Sequence, residues 1–450
     1  MLKVIVPNNN IPERQYIVDV LLTEFLGLEY AFETTDNQND WSIFLDNGGS
    51  IVIRDAFFSR HKEPLSYLAE SNIPSQVGFC KLEFSPEADM PVLFGEGGLS
   101  ISQSSIICDV DIFAGAFFML TRWEEYVNKV RDTHDRFPAA ESLAFKNGFL
   151  DRPVVNEYVE LLWSLLIELG YEGARKTRSF TVVPTHDVDS TFYWRDWRFI
   201  AKTLAGDILK RKSLSRFWSN FCEIGRIIFS NAKDRFDTFD ELMEISESVG
   251  GKSHFFFMAG GNSKYDNAYE IVSSKTKRLI KRIKQRGHYI GIHPSYNSYL
   301  DSEMLNKERD SLALVAEQAV VHGRHHVLRY DVSETPRLWG ELNMYWDSTL
   351  GYAGHNGFRA GVCYPFSMFD FLNRKKLCLI QKPLIFMEVT DFKYRHLSLE
   401  KALSESQRLV SVVRKFNGEF VCLWHNSNIC GPIWRERFDQ IYRMILSAAK

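Results

Sequence analysis

The chain alternates short apolar runs with stretches in which apolar residues recur every three or four positions. Residues 2–6 read as a strand, and Ile17, Val20, Leu21, Phe25 and Leu26 mark one face of a helix over 14–26. Short strands are expected at 41–45 and 50–53, a largely apolar helix over 112–127, and a polar loop over 131–140. A further helix over 153–169 should stop at Gly170. Together these predict a smaller α/β accessory domain over 1–170, with a boundary in the polar, basic stretch 171–178. Beyond it, strands are expected at 180–185, 254–258, 288–292, 327–330, 384–389 and 419–424. Helices are expected between them at 238–249, 275–286, 303–320 and 399–416. This alternation predicts a parallel sheet or (β/α) barrel over 178–450, with no internal repeat and no low-complexity segment.

Composition narrows the function classes. A 450-residue chain that is 45% hydrophobic and 25% charged builds a substantial globular core. The net charge of -3, with no basic domain, argues against a nucleic-acid partner. No apolar run approaches the length of a membrane span, and the start of the sequence shows no secretory signal, so a cytoplasmic protein is expected. The seven cysteines form no CxxC and sit among apolar neighbours, which reads as buried thiols in a reducing compartment. The 14% aromatic content fits either a well-filled core or a cleft with aromatic faces for sugar rings.

Barrel enzymes carry their chemistry at the C-terminal ends of strands. The first strand of the second part runs into Thr185-His186-Asp187-Val188-Asp189. Carboxylates at i and i+2 on a strand point the same way, so one can bind a metal while the other accepts a proton. The 288–292 strand runs into His293-Pro-Ser-Tyr296-Asn297, whose imidazole and amide can reach one ion across a helical turn. The last strand ends at Trp424-His425-Asn426, where a histidine can protonate a leaving amine. Gly323-Arg324-His-His-Val-Leu-Arg329 is cationic, and either arginine can hold Asp187 or the substrate. Arg359, in a glycine-flanked loop, and Tyr296 are the candidate substrate contacts.

In this order the motifs resemble the NodB-like polysaccharide deacetylases, carbohydrate esterase family four, over roughly residues 178–430. Asp187 and Asp189 match the family's Asp pair in a spaced form. His293 matches its first metal histidine, Asn297 stands where the second is expected, and His425 matches its late histidine. The first 165 or so residues, with TRWEEYV, DRF and DRPVVNEYV, look like the domain that accompanies deacetylase-like proteins of bacterial surface-polysaccharide clusters. The resemblance implies a distorted seven-stranded (β/α) barrel holding one divalent metal, usually zinc. It implies hydrolysis of an N-acetyl, sometimes O-acetyl, group on a carbohydrate substrate. Asp187 would be the base, Asp189, His293 and Asn297 the metal ligands, and His425 the acid. The spaced Asp pair leaves open an exchange of base and ligand. An amide at 297 is a weaker ligand than imidazole, which leaves open a barrel that binds carbohydrate without turnover.

Overall fold

A computed structural model describes residues 1–230, 232–266 and 269–449. The first part is built on a six-stranded mixed sheet with the order β2-β1-β3-β4-β8-β7. Its strands are β1 (Leu2–Pro7), β2 (Tyr30–Thr35), β3 (Trp41–Phe44), β4 (Ser50–Ile53), β7 (Gly95–Ile101) and β8 (Ser105–Val110). A separate pair, β5 (Gly78–Cys80) and β6 (Met90–Val92), lies between β4 and β7 in sequence. β1 and β2 are parallel, so a crossover must join them. The predicted helix supplies it as Ile11–Val18, continuing in a wider coil over Asp19–Leu26.

The helix expected over 112–127 is two helices, Ile112–Thr121 and Trp123–Val127. They break at Arg122, whose φ of 54° is left-handed. Its buried guanidinium turns back to Glu124 at 2.8 Å and Glu125 at 2.9 Å, so ion pairing holds the break. Helix Val154–Glu168 then closes this part, and Gly170 takes the left-handed conformation that stops it.

The second part is α/β, built on a nine-stranded sheet with the order β14-β15-β13-β12-β11-β10-β9-β17-β16. The strands are β9 (Thr181–Val188), β10 (His254–Phe257), β11 (Tyr289–Ile292), β12 (His322–Gly323), β13 (Trp346–Asp347), β14 (Phe366–Asp370), β15 (Lys375–Gln381), β16 (Phe386–Met387) and β17 (Glu419–Leu423). All neighbours pair in parallel except β14 with β15. Its ladder has two ends, so the expected closed ring of seven strands is not formed by strand pairing among the described residues. β15 and β16 are successive pieces of one run, which begins paired to β13 and ends paired to β17. Phe255, Phe256 and Phe257 are all fully buried, as strands covered on both faces require.

The strand expected at 327–330 is absent. Its place in the sheet is taken by β12, where the chain passes so close to β11 that a Cβ on Gly323 would lie 1.9 Å from the Ile292 carbonyl oxygen. Val327 and Leu328 instead adopt left-handed φ of 51° and 58°, which a β-branched residue rarely accepts. The four predicted helices form as Phe239–Ser248, Ser274–Gln285, Ser302–Ala316 and Leu399–Lys415. A helical insertion between β9 and β10, Trp197–Leu209 and Leu214–Phe229, was not anticipated from the sequence pattern.

The two parts share one continuous apolar core. Polar ties cross it: Tyr16 donates to the Ser367 carbonyl at 2.9 Å, and buried Arg359 bonds both Glu125 oxygens, at 3.0 and 2.5 Å. All seven cysteines are free, but Cys222 and Cys378 are exposed rather than buried. No described helix is long and apolar enough to cross a membrane.

Candidate metal centre

Alternation along β9 sets the first residues of the site. His186 lies on one face, with Nδ1 2.7 Å from the Trp424 carbonyl oxygen. Thr185 and Asp187 share the other face, and the Nη1 of Arg324 donates to both at 2.9 Å. Arg324 is fully buried and is itself fixed by Ser348, through Nε to the carbonyl and Nη2 to the hydroxyl, each at 2.9 Å. One oxygen of Asp187 is therefore committed to Arg324. The other lies 3.9 Å from the Nε2 of His293.

His293 follows β11 directly. Its Nδ1 lies 2.6 Å from the Arg324 carbonyl oxygen, which can only accept, so Nδ1 carries the proton when the ring is neutral. The Nε2 lone pair is then directed at Asp189 Oδ1, 3.3 Å away. His326 reaches the same oxygen from the β12 side, with Nε2 at 3.7 Å and Nδ1 3.4 Å from Asp266 Oδ1. The donor atoms of Asp189, His293 and His326 all lie within 4.8 Å of one another. Asp189 Oδ1 is buried and accepts no hydrogen bond among the described residues. An orphaned carboxylate oxygen flanked by two imidazole nitrogens suits a divalent cation of the zinc type. The partners behind His293 and His326 orient the rings for it. Three protein donors also leave a coordination position for water or substrate.

Burial opposes charge on Asp189. The neighbouring imidazoles, His293 first and then His326 and His425, outweigh it and hold the carboxyl well below its usual range. Burial likewise disfavours the His293 cation, but Asp187 and Asp189 raise its pKa. His425, after β17, is the third imidazole at the site, with Nε2 3.7 Å from Asp189 Oδ2. Its Nδ1 and backbone N–H both meet Glu388 Oε1, at 2.7 and 3.0 Å. Burial works against the imidazolium, but the Glu388 charge and hydrogen bond push His425 up to about 9.

These groups line a cavity of about 240 Å³ with Arg136, Lys393 and Tyr394. Arg136 comes from the first part, out of the loop predicted over 131–140. It donates to the Val327 carbonyl at 2.8 Å and is paired to Asp132 at 2.7 Å. A second cavity of similar size shares Arg136, Leu328, Ala353 and Tyr394 with the first, so the cleft extends past the metal ligands.

The structure brings together Asp187, Asp189, His293, Arg324 and His425. It places four other candidates elsewhere. Asn297 is exposed, lies just before the tight turn 298–300 and does not line the cavity. Arg329 lies over the Tyr296 and Tyr299 rings and donates to the His134 and Tyr296 carbonyls at 2.9 and 2.6 Å, fastening the 131–140 loop rather than Asp187. Tyr296 is engaged with His134 at 3.2 Å and is not in the cavity wall. Arg359 borders the second cavity, but its guanidinium is taken up by Glu125 and the Gly351 carbonyl.

Sequence reasoning passed over His326, Glu388 and Asp266. His326 stood inside a segment read only for its cations. Glu388 directly follows β16 but lay inside the longer strand expected over 384–389, so inspection of strand ends did not reach it. Asp266 carries no local signal.

Comparison with known proteins adds little to this geometry. Residues 2–171 match a family of unknown function, DUF7033. No curated protein matches the chain. Among solved structures, one described as a "putative polysaccharide deacetylase from Mycobacterium smegmatis" is similar at 16% identity, with a TM-score of 0.38. The match covers 60% of this chain and 85% of that one.

Proposed function

We propose that the protein is a metal-dependent hydrolase that removes an acetyl group, N-linked in the first instance, from a sugar or polysaccharide precursor. The observation that carries the reading is the convergence of Asp189, His293 and His326 beside two separately held acid–base groups, Asp187 and His425. In this reading His326 takes the ligand role first expected of Asn297. The run from β15 into β16, paired to β13 at one end and β17 at the other, supports a distorted barrel in which that run is one of seven strands.

A divalent cation bound there, zinc by the donor set, would polarise the acetyl carbonyl and lower the pKa of the attacking water. The protein's own groups divide the remaining work. Arg324 occupies one oxygen of Asp187, which leaves the other free to accept the water's proton. Glu388 keeps His425 protonated and oriented, so that its Nε2 can donate to the departing amine. Arg136, Lys393 and Tyr394 form the wall against which a sugar would lie.

The test pairs metal analysis of the purified protein with acetate release from N-acetylhexosamine glycans. We expect one divalent ion per chain and turnover that Asp189→Ala abolishes. Absence of any bound ion, together with an Asp189→Ala protein that behaves as the wild type does, defeats the reading.

A further inference from the structure

The insertion between β9 and β10 turns its apolar side outward. On helix Leu214–Phe229, positions 214, 218, 221, 225 and 228 are spaced by three or four residues and share one face. An amphipathic helix of a globular protein normally buries that face. Here Leu214, Trp218, Phe221 and Ile228 are all exposed, and Ile224 alone on the helix is buried. The preceding helix adds Trp197, 72% exposed, and Leu209, 77% exposed, and Phe229 at the end of the second is 88% exposed. The turn between the helices carries Lys210, Arg211 and Lys212 in succession, all exposed. Residues 195–233 hold nine basic and three acidic side chains in a chain whose net charge is -3.

We propose that this helical hairpin docks the protein on the surface of an anionic lipid bilayer. Charge selects the occupant. Protein–protein interfaces are depleted of lysine. Exposed Trp, Leu and Phe flanked by Lys and Arg form the combination that inserts at the headgroup boundary and pairs with anionic lipid. Neither helix is long and apolar enough to span, so the hairpin lies in the surface plane. Trp197 and Ile228 also border a cavity of about 810 Å³ beneath the hairpin, whose wall mixes cations with Asp196, Asp234 and Asp237, so Leu209, Leu214, Trp218 and Phe221 are the side chains offered to the bilayer. The insertion begins immediately after Asp189, and Asn426 holds the Ser190 carbonyl at 2.9 Å, so the hairpin is tied to the strand that carries Asp187 and Asp189.

The experiment is co-sedimentation of the full chain with phosphatidylcholine vesicles, with and without phosphatidylglycerol. No turnover is measured, so the outcome is independent of the catalytic reading. We expect binding to the anionic vesicles to be stronger by about tenfold or more and to weaken with salt. The variant Leu214→Ser/Trp218→Ser/Phe221→Ser should lose binding by about tenfold or more, with an unchanged melting temperature because all three side chains are exposed. Lys210→Gln/Arg211→Gln/Lys212→Gln should lose the preference for anionic lipid. Wild-type protein that ignores both vesicles, or a serine variant that binds as wild type does, overturns the proposal. So does a dimer seen by light scattering that the serine variant dissolves, since a second copy would then cover the face.

Discussion

Glu388 Oε1 lies 2.7 Å from His425 Nδ1 and also accepts the His425 backbone N–H and the Asn428 side-chain amide. One carboxylate thus fixes the tautomer, the ring orientation and the charge of the imidazole that faces Asp189. Burial alone would raise Glu388, but the His425 cation holds it below its ordinary value.

In the proposed reaction this pair should set the upper pH limit. His425 must be protonated to donate, and with its pKa at about 9 the rate should hold through neutrality and fall near that value. Glu388→Gln removes the leading upward influence, so the falling limb should move toward the ordinary 6.5. The sign for stability follows from the same shift. A raised histidine pKa contributes stability that is complete below 6.5 and lost as pH climbs through about 9. The urea midpoint of the wild type should therefore drop more across that window than that of Glu388→Gln. Identical pH–rate profiles for the two proteins would remove Glu388 from the mechanism.

The proposed third metal ligand, His326, can be told apart from Asn297, the residue the sequence suggested. His326→Ala should weaken divalent-ion affinity by about 100-fold or more, since even the partners behind a ligand commonly cost 10–100-fold. Asn297→Ala should leave affinity and stoichiometry unchanged, because Asn297 is exposed and outside the cavity. Competition titration with a chromophoric chelator measures both. The opposite ranking would return the third ligand to Asn297.

Arg359 separates a structural role from substrate recognition. It is buried with all three guanidinium nitrogens engaged, two by Glu125 and one by the Gly351 carbonyl, and Tyr352 lies beneath it with the guanidinium 4.8 Å from the ring centroid. Arg359→Met leaves the Glu125 carboxylate short of a partner in the core, which costs about 3–5 kcal/mol for a buried pair. Denaturant unfolding should show that loss with KM unchanged in the folded fraction. A raised KM at wild-type stability would instead assign Arg359 to the substrate.

Most of the elements were legible because burial writes its own period into the chain. Phe255–Phe257 could only be a covered strand, and the three-four spacing of helix Leu399–Lys415 left little choice. Asp187, Asp189, His293 and His425 were legible for a related reason: each follows an apolar run, where a buried strand meets the open end of the sheet. What local pattern could not supply was pairing at a distance. β12 and β13 are two residues each, too short to show a period, so the strand between 323 and 330 was placed too late. That error hid His326, which lies in the turn after Gly323, just before two left-handed residues, and stands 3.7 Å from Asp189. Arg329 was expected on Asp187 or the substrate and Arg359 on the substrate, whereas each has a partner in the first part, about 190 and 230 residues earlier. Helix 214–229 was not assigned from the sequence, and its outward apolar face carries the period of a core helix without a core to meet it.

Arg136 makes the cavity depend on both parts. It leaves the first part, enters the cavity wall and holds the carbonyl of left-handed Val327, one residue after His326. A recombination joint anywhere in 171–180 would give a second part whose ligand-bearing turn has lost its outer support, and a first part with a loop closed over nothing. Lineages that keep the chemistry should therefore inherit the pair intact, and a gene carrying only the later segment should have found another residue to stand where Arg136 does.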